Sequence, residues 1–86
     1  MKRIANLSII VEESNDENIT KINAILHEFS DCILGRMGVP DKVHNVNIIS
    51  IALCASLDIL NSLTGKLGKI DYVNAKLLIS NKEYSD

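Results

Sequence analysis

Residues 45–55, NVNIISIALCA, form the longest apolar run in the chain, and their alternation decides the fold. Val46, Ile48, Ser50, Ala52 and Cys54 fall on one side of an extended segment, and Ile49, Ile51, Leu53 and Ala55 on the other. Both sides are apolar or small, the pattern of a central strand. Directly after it Ser56 supplies a helix cap. Leu60, Leu63 and Leu67 then recur at helical spacing, with Leu57 and Ile59 flanking them. Gly68 is placed to end that helix as a C′ residue.

Upstream, Val39-Pro40-Asp41-Lys42 predicts a turn, with Pro40 stopping a shorter strand over 31–39, DCILGRMGV. Gly35 and Gly38 inside that strand mark a bulge, a bend or the close approach of another backbone. Ser14 and Glu17 match a capping box, and the helix they open carries Ile19, Ile22, Ile25, Leu26 and Phe29 along one stripe. Residues 3–12, RIANLSIIVE, alternate Ala5, Leu7, Ile9 and Val11 against Ile4, Asn6, Ser8 and Ile10, as a strand does. A last strand runs from Tyr72 to Ser80, and the polar end, 80–86, is expected to fray. The order β-α-β-β-α-β in a single domain over 1–86 is that of an α+β, ferredoxin-like sandwich. Right-handed crossovers then place both helices on one face of a four-stranded antiparallel sheet.

That architecture leaves the second sheet face without helix cover, where polar residues should alternate. The sequence puts Ile4, Ile10, Ile48 and Leu78 there instead, with Ala52 and Cys54, the third strand supplying either these residues or their register alternates. Burying each large side chain contributes on the order of 1.5 to 3 kcal/mol. Left wet, they would make a patch of the size that marks an interaction site. A chain of this length also buries only about 60 to 65% of its unfolded surface, so partner subunits help it. The expectation is a homo-oligomer, dimer or tetramer, with Ile4, Ile10, Ile48 and Leu78 at the contact.

Composition narrows the function. Thirteen Ile, ten Leu and five Val, against one Phe, two Tyr and no Trp, make an aliphatic core. Nine Lys plus Arg against eleven Asp plus Glu give a net charge of -2, which argues against a direct grip on nucleic acid. The first apolar run is broken by Asn6 and Ser8 and closed by Glu12 and Glu13, too short and polar for a signal peptide or a membrane span. Cys32 and Cys54 show neither CxxC spacing nor the density of a disulfide scaffold. A cytoplasmic protein with reduced thiols and no membrane partner is expected.

The reactive residue types are sparse. His27, Cys32, His44 and Cys54 are the available metal ligands, yet none are paired at chelating spacing. Cys32 and His44 could share a metal only across subunits, so no metal and no cofactor is expected. No Ser-His-Asp or Cys-His arrangement and no apolar carboxylate pair can be assembled, which predicts that the chain is not an enzyme. Arg36 stands between Gly35 and Gly38, and its planar fork suits a ligand carboxylate or phosphate, or an ion pair between subunits. Arg36 and Gly38 are therefore the candidate ligand-binding residues. Gly65 inside the second helix costs about 1 kcal/mol relative to Ala, which predicts that something packs tightly against it.

The segments LHEFSDCILGRMGVP (26–40) and VNIISIALCASLDILNSLTGKLGKIDYVNAKLL (46–78) resemble the iron-only hydrogenase system regulators. The most specific parts are Arg36 to Pro40 and Ser62 to Gly68, and the resemblance spans about residues 4 to 79. That family is in turn similar to the ACT-like, ligand-sensing domain of the nickel-responsive ribbon-helix-helix regulators. The resemblance implies an oligomeric, ACT-like regulatory domain, transcriptional or otherwise, tied to the hydrogenase system. The chain departs from those nickel regulators in showing neither a ribbon-helix-helix arm nor their His-rich ligand set, so nickel sensing is not expected and DNA binding would need a partner protein or another surface. The reading is a homo-oligomer that binds a small-molecule effector or a partner protein. The alternatives are a metal sensor using Cys32, His44 and Cys54 across subunits, or a small dimeric ferredoxin-like enzyme.

Overall fold

The chain runs β1 (Arg3–Val11), α1 (Asp16–Glu28), a single 3-10 turn (Ser30–Cys32), β2 (Ile33–Asp41), β3 (Val46–Ala55), α2 (Leu57–Gly68) and β4 (Val73–Ile79). These elements come from a computed structural model, which describes residues 1–85. The four strands form one antiparallel sheet in the order β2-β3-β1-β4, the ferredoxin-like arrangement. Ala5, Leu7, Ile9 and Val11 of β1 and Ile51, Leu53 and Ala55 of β3 are buried toward the helices. Ile22 and Leu26 of α1 and Leu60, Leu63 and Leu67 of α2 close the core over them. No helix among the described residues is long and apolar enough to cross a membrane.

Local details depart from the sequence reading, each for a physical reason. The cap of α1 is Asn15, not Ser14: its side chain accepts from the Asn18 N–H at 2.8 Å, and Asn18 Oδ1 accepts from the Asn15 N–H at 3.0 Å. Asn18, buried at 3% exposure, also donates to the Glu13 carbonyl at 2.7 Å. Ser14 is released for another task, accepting from Asn47 Nδ2 at 2.6 Å and so tying the β1–α1 loop to β3.

Pro40 does not stop β2; it pairs with Asn47 inside the strand. An edge strand tolerates a residue without an N–H, because one side of its backbone has no partner. Gly68 is the last residue of α2, followed by Lys69 in right-handed geometry, and no glycine has positive φ. The Ile70 N–H turns back to the Leu67 carbonyl at 3.1 Å, which tightens the exit and drops Ile70 into the core. Nor does anything in the chain crowd Gly65, where an added Cβ would meet no atom within 4 Å. Finally, of the end expected to fray, Glu83 and Tyr84 turn back on the N-terminus, and Asp86 lies outside the described residues. Lys2 and Tyr84 exchange backbone hydrogen bonds of 2.6 and 2.8 Å, and Arg3 pairs with Glu83 at 2.8 Å.

Candidate functional site

The sheet face opposite the helices is built in cross-strand rows. Val39, Ile48, Ile10 and Asn74 make one row, and Met37, Ser50, Ser8 and Lys76 the next. Ala52, Asn6 and Leu78 follow, and then Cys54 with Ile4. The four residues read from sequence as an apolar contact thus lie on one face: Ile4 is 39% exposed, Ile10 42%, Ile48 44% and Leu78 75%. Met37 and Val39 join them, also largely exposed. The sequence reading missed these two because the glycines around them hide the alternation of β2.

The other candidate lies at the sheet's β2 edge. The bulge signalled by the glycines falls between Ile33 and Gly35. Beyond it, pairing with Ile51, Ile49 and Asn47 turns Arg36, Gly38 and Pro40 toward the helix side. Where β1 fills that side with Leu7, Ile9 and Val11, β2 offers no large aliphatic side chain after Ile33. A groove therefore opens between α1 and β2, and Arg36 Nη2 crosses it to donate to Asn23 Oδ1 at 3.3 Å. On one side of this bar lies a cavity of about 350 Å³ lined by Asn23, Leu26, His27, Ser30, Ile33 and Arg36. On the other side, a cavity of about 290 Å³ reaches Ile19, Ile22, Gly38, Pro40 and Ile49. Gly38 forms part of the lining, and a Cβ added there would meet nothing within 4 Å. Asn23 carried no signal in the sequence, where it is one polar residue on an exposed helix face.

The structure does not bring Cys32 and His44 of one chain together. Cys32 precedes β2 and His44 follows it, so the length of the strand separates them. The Cys32 thiol donates to the Phe29 carbonyl at 3.1 Å, and burial pushes its pKa up. His44 Nδ1 instead pairs with Asp41 Oδ2 at 2.8 Å in the β2–β3 hairpin. Among the described residues no group of three or more His, Cys, Asp or Glu is placed to hold a metal ion. His27 lines the groove beside Arg36.

Comparison with known proteins places this architecture. The TM1266-like family, whose description reads "Iron-only hydrogenase system regulator, putative", matches residues 3–77. The solved structure of the uncharacterized protein TM1266 from Thermotoga maritima is 37% identical, covers 92% of this chain and 98% of its own, and superposes with a TM-score of 0.89. The ACT domain from GTP pyrophosphokinase of Chlorobium tepidum superposes with a TM-score of 0.76 at 19% identity, over 91% of this chain and 100% of its own. A formyltetrahydrofolate deformylase from Pseudomonas syringae pv. tomato gives a TM-score of 0.67 at 12% identity, over 96% of this chain but 29% of its own. These last two show the fold alone, an ACT-like one. No curated protein matches the chain.

Proposed function

The chain belongs to the TM1266-like family of iron-only hydrogenase system regulators, and from that premise we propose that it is a non-enzymatic regulatory module working as a homo-oligomer. It acts in the cytoplasm, with Cys32 and Cys54 as free thiols, and takes a small effector in the groove beside Arg36. Effector and assembly are coupled if both favour the same subunit arrangement.

The open sheet face is the observation that carries this reading. Ile4, Ile10, Met37, Val39, Ile48 and Leu78 stand on it with neutral Asn6, Ser8, Ser50 and Asn74, and the paired rows carry two charges of opposite sign, Lys76 and, at the hairpin end, Asp41 opposite Val46. A two-fold contact sets the same patch against itself, and a patch with so little charge does so without repulsion. The aliphatic side chains are already partly covered, so finishing their burial contributes about 1 kcal/mol each, roughly 6 kcal/mol per protomer. Two protomers together then reach the range that association costs, about 4 to 15 kcal/mol. A second copy of the chain is therefore a fitting occupant.

Deleting the gene in its host and measuring hydrogenase activity and transcript levels tests the regulatory role. A change restored by the wild-type gene, but not by Leu78→Asp, supports it. Unchanged activity and transcripts under hydrogen-producing conditions overturn it.

A further inference from the structure

We propose that the groove between α1 and β2 binds a small carboxylate with a branched aliphatic body and no ammonium group. This deepens the effector clause of the functional reading above and rests on it. The chain carries more acids than bases, yet no Asp or Glu lines either cavity of the groove. Arg3, Lys21 and Lys66 are engaged in ion pairs, whereas Arg36 meets no carboxylate among the described residues. Its one hydrogen bond, to Asn23, leaves the other guanidinium N–H groups free to take both oxygens of a carboxylate.

The neighbours set the rest of the ligand. Toward Pro40 the wall is Ile19, Ile22 and Ile49, with Gly38 contributing no side chain and Asn47, whose amide nitrogen donates to Ser14 Oγ, as the one polar side chain beside Pro40. That space suits a short branched hydrocarbon, and its volume of about 290 Å³ holds one. An ammonium group drawn in behind the carboxylate would give up water and find no opposite charge, which disfavours it. An α-amino acid should thus bind worse than the same carbon skeleton without nitrogen.

Titrating the folded full-length chain with 4-methylpentanoate, leucine, 4-methylpentanamide and inorganic phosphate, followed by amide NMR shifts and calorimetry, tests this. 4-Methylpentanoate should saturate, moving the amides of Ile22, Asn23, Gly38 and Ile49, with leucine and the amide at least tenfold weaker. Arg36→Gln should weaken binding tenfold or more. Gly38→Val should abolish it by filling the groove while leaving the fold intact, since a Cβ there meets nothing. Leucine or phosphate binding as tightly as 4-methylpentanoate, shifts confined to another surface, or no saturation by 10 mM would overturn the proposal. A failed titration beside an intact hydrogenase phenotype and intact assembly removes this ligand class and leaves the regulatory reading standing.

Discussion

Ile10 on β1 stands directly opposite Ile48 on β3, on the sheet face that neither helix covers. Each is partly exposed, and Val39 extends the same row onto β2. Cross-strand aliphatic pairs of this kind stabilise a sheet modestly by themselves. Their larger contribution comes when something covers them.

Leu78→Asp should weaken self-association roughly tenfold or more, since it gives up about 1 kcal/mol of leucine burial and sets a charge in an apolar contact, where it loses its water. Leu78 is 75% exposed, so its loss removes no core packing. Sedimentation equilibrium of the variant beside wild type reads the change; equal association constants would move the contact off this face.

Asn18→Ala should destabilise the fold by about 2 kcal/mol, more than the ~1 kcal/mol of a simple cap, because it removes a buried side chain together with two of the part-buried hydrogen bonds that close the loop before α1. The Asn15 N–H loses its partner, and the Glu13 carbonyl keeps only the longer 3.4 Å bond from Asn15 Nδ2. Urea unfolding gives the difference directly, and a loss no larger than that of Asn15→Ala would contradict it.

How far the sequence could be read varied with the kind of signal. Strand and helix identities followed from period alone, because β1 and β3 alternate over their full length and α2 keeps Leu60, Leu63 and Leu67 in step. The open face followed from the same alternation, except for Met37 and Val39 on the glycine-interrupted β2. Caps and ends were harder. Asn15 with Asn18 and Ser14 with Glu17 are both plausible boxes, and only the burial of Asn18 decides between them. Pro40 stops a central strand but not an edge, and which strand is the edge is set by the whole topology. Arg36 was legible as a candidate; its place in a groove facing Asn23 depends on a bulge that periodicity cannot locate.

Gly65→Ala should raise stability by up to about 1 kcal/mol, the helix-propensity difference between the two residues. Nothing lies within 4 Å of the added methyl group, so no clash offsets the gain. Thermal unfolding of the two proteins decides; a lower melting point, or altered assembly, would mean that another copy packs against this face of α2.

The β2–β3 hairpin should make a pH-dependent contribution to stability. The His44 side chain, hydrogen-bonded to Asp41 at 2.8 Å, and then the His44 and Val43 backbone N–H groups hold the Asp41 carboxyl below its ordinary pKa. A carboxyl lowered on folding favours the fold when ionised. That contribution is complete above about pH 5 and is lost as pH falls through the acidic range below about 4. The stability gap between wild type and Asp41→Asn should therefore narrow from neutral pH toward pH 2 in urea unfolding. A gap that widens on acidification would contradict the assignment.

The central claim is that the uncovered sheet face belongs against a second copy of the chain. Sedimentation velocity of the wild-type protein over a wide dilution series measures this most directly. The account predicts a dimer or tetramer that dissociates only on strong dilution; a lone 9.5 kDa species at every concentration would contradict it.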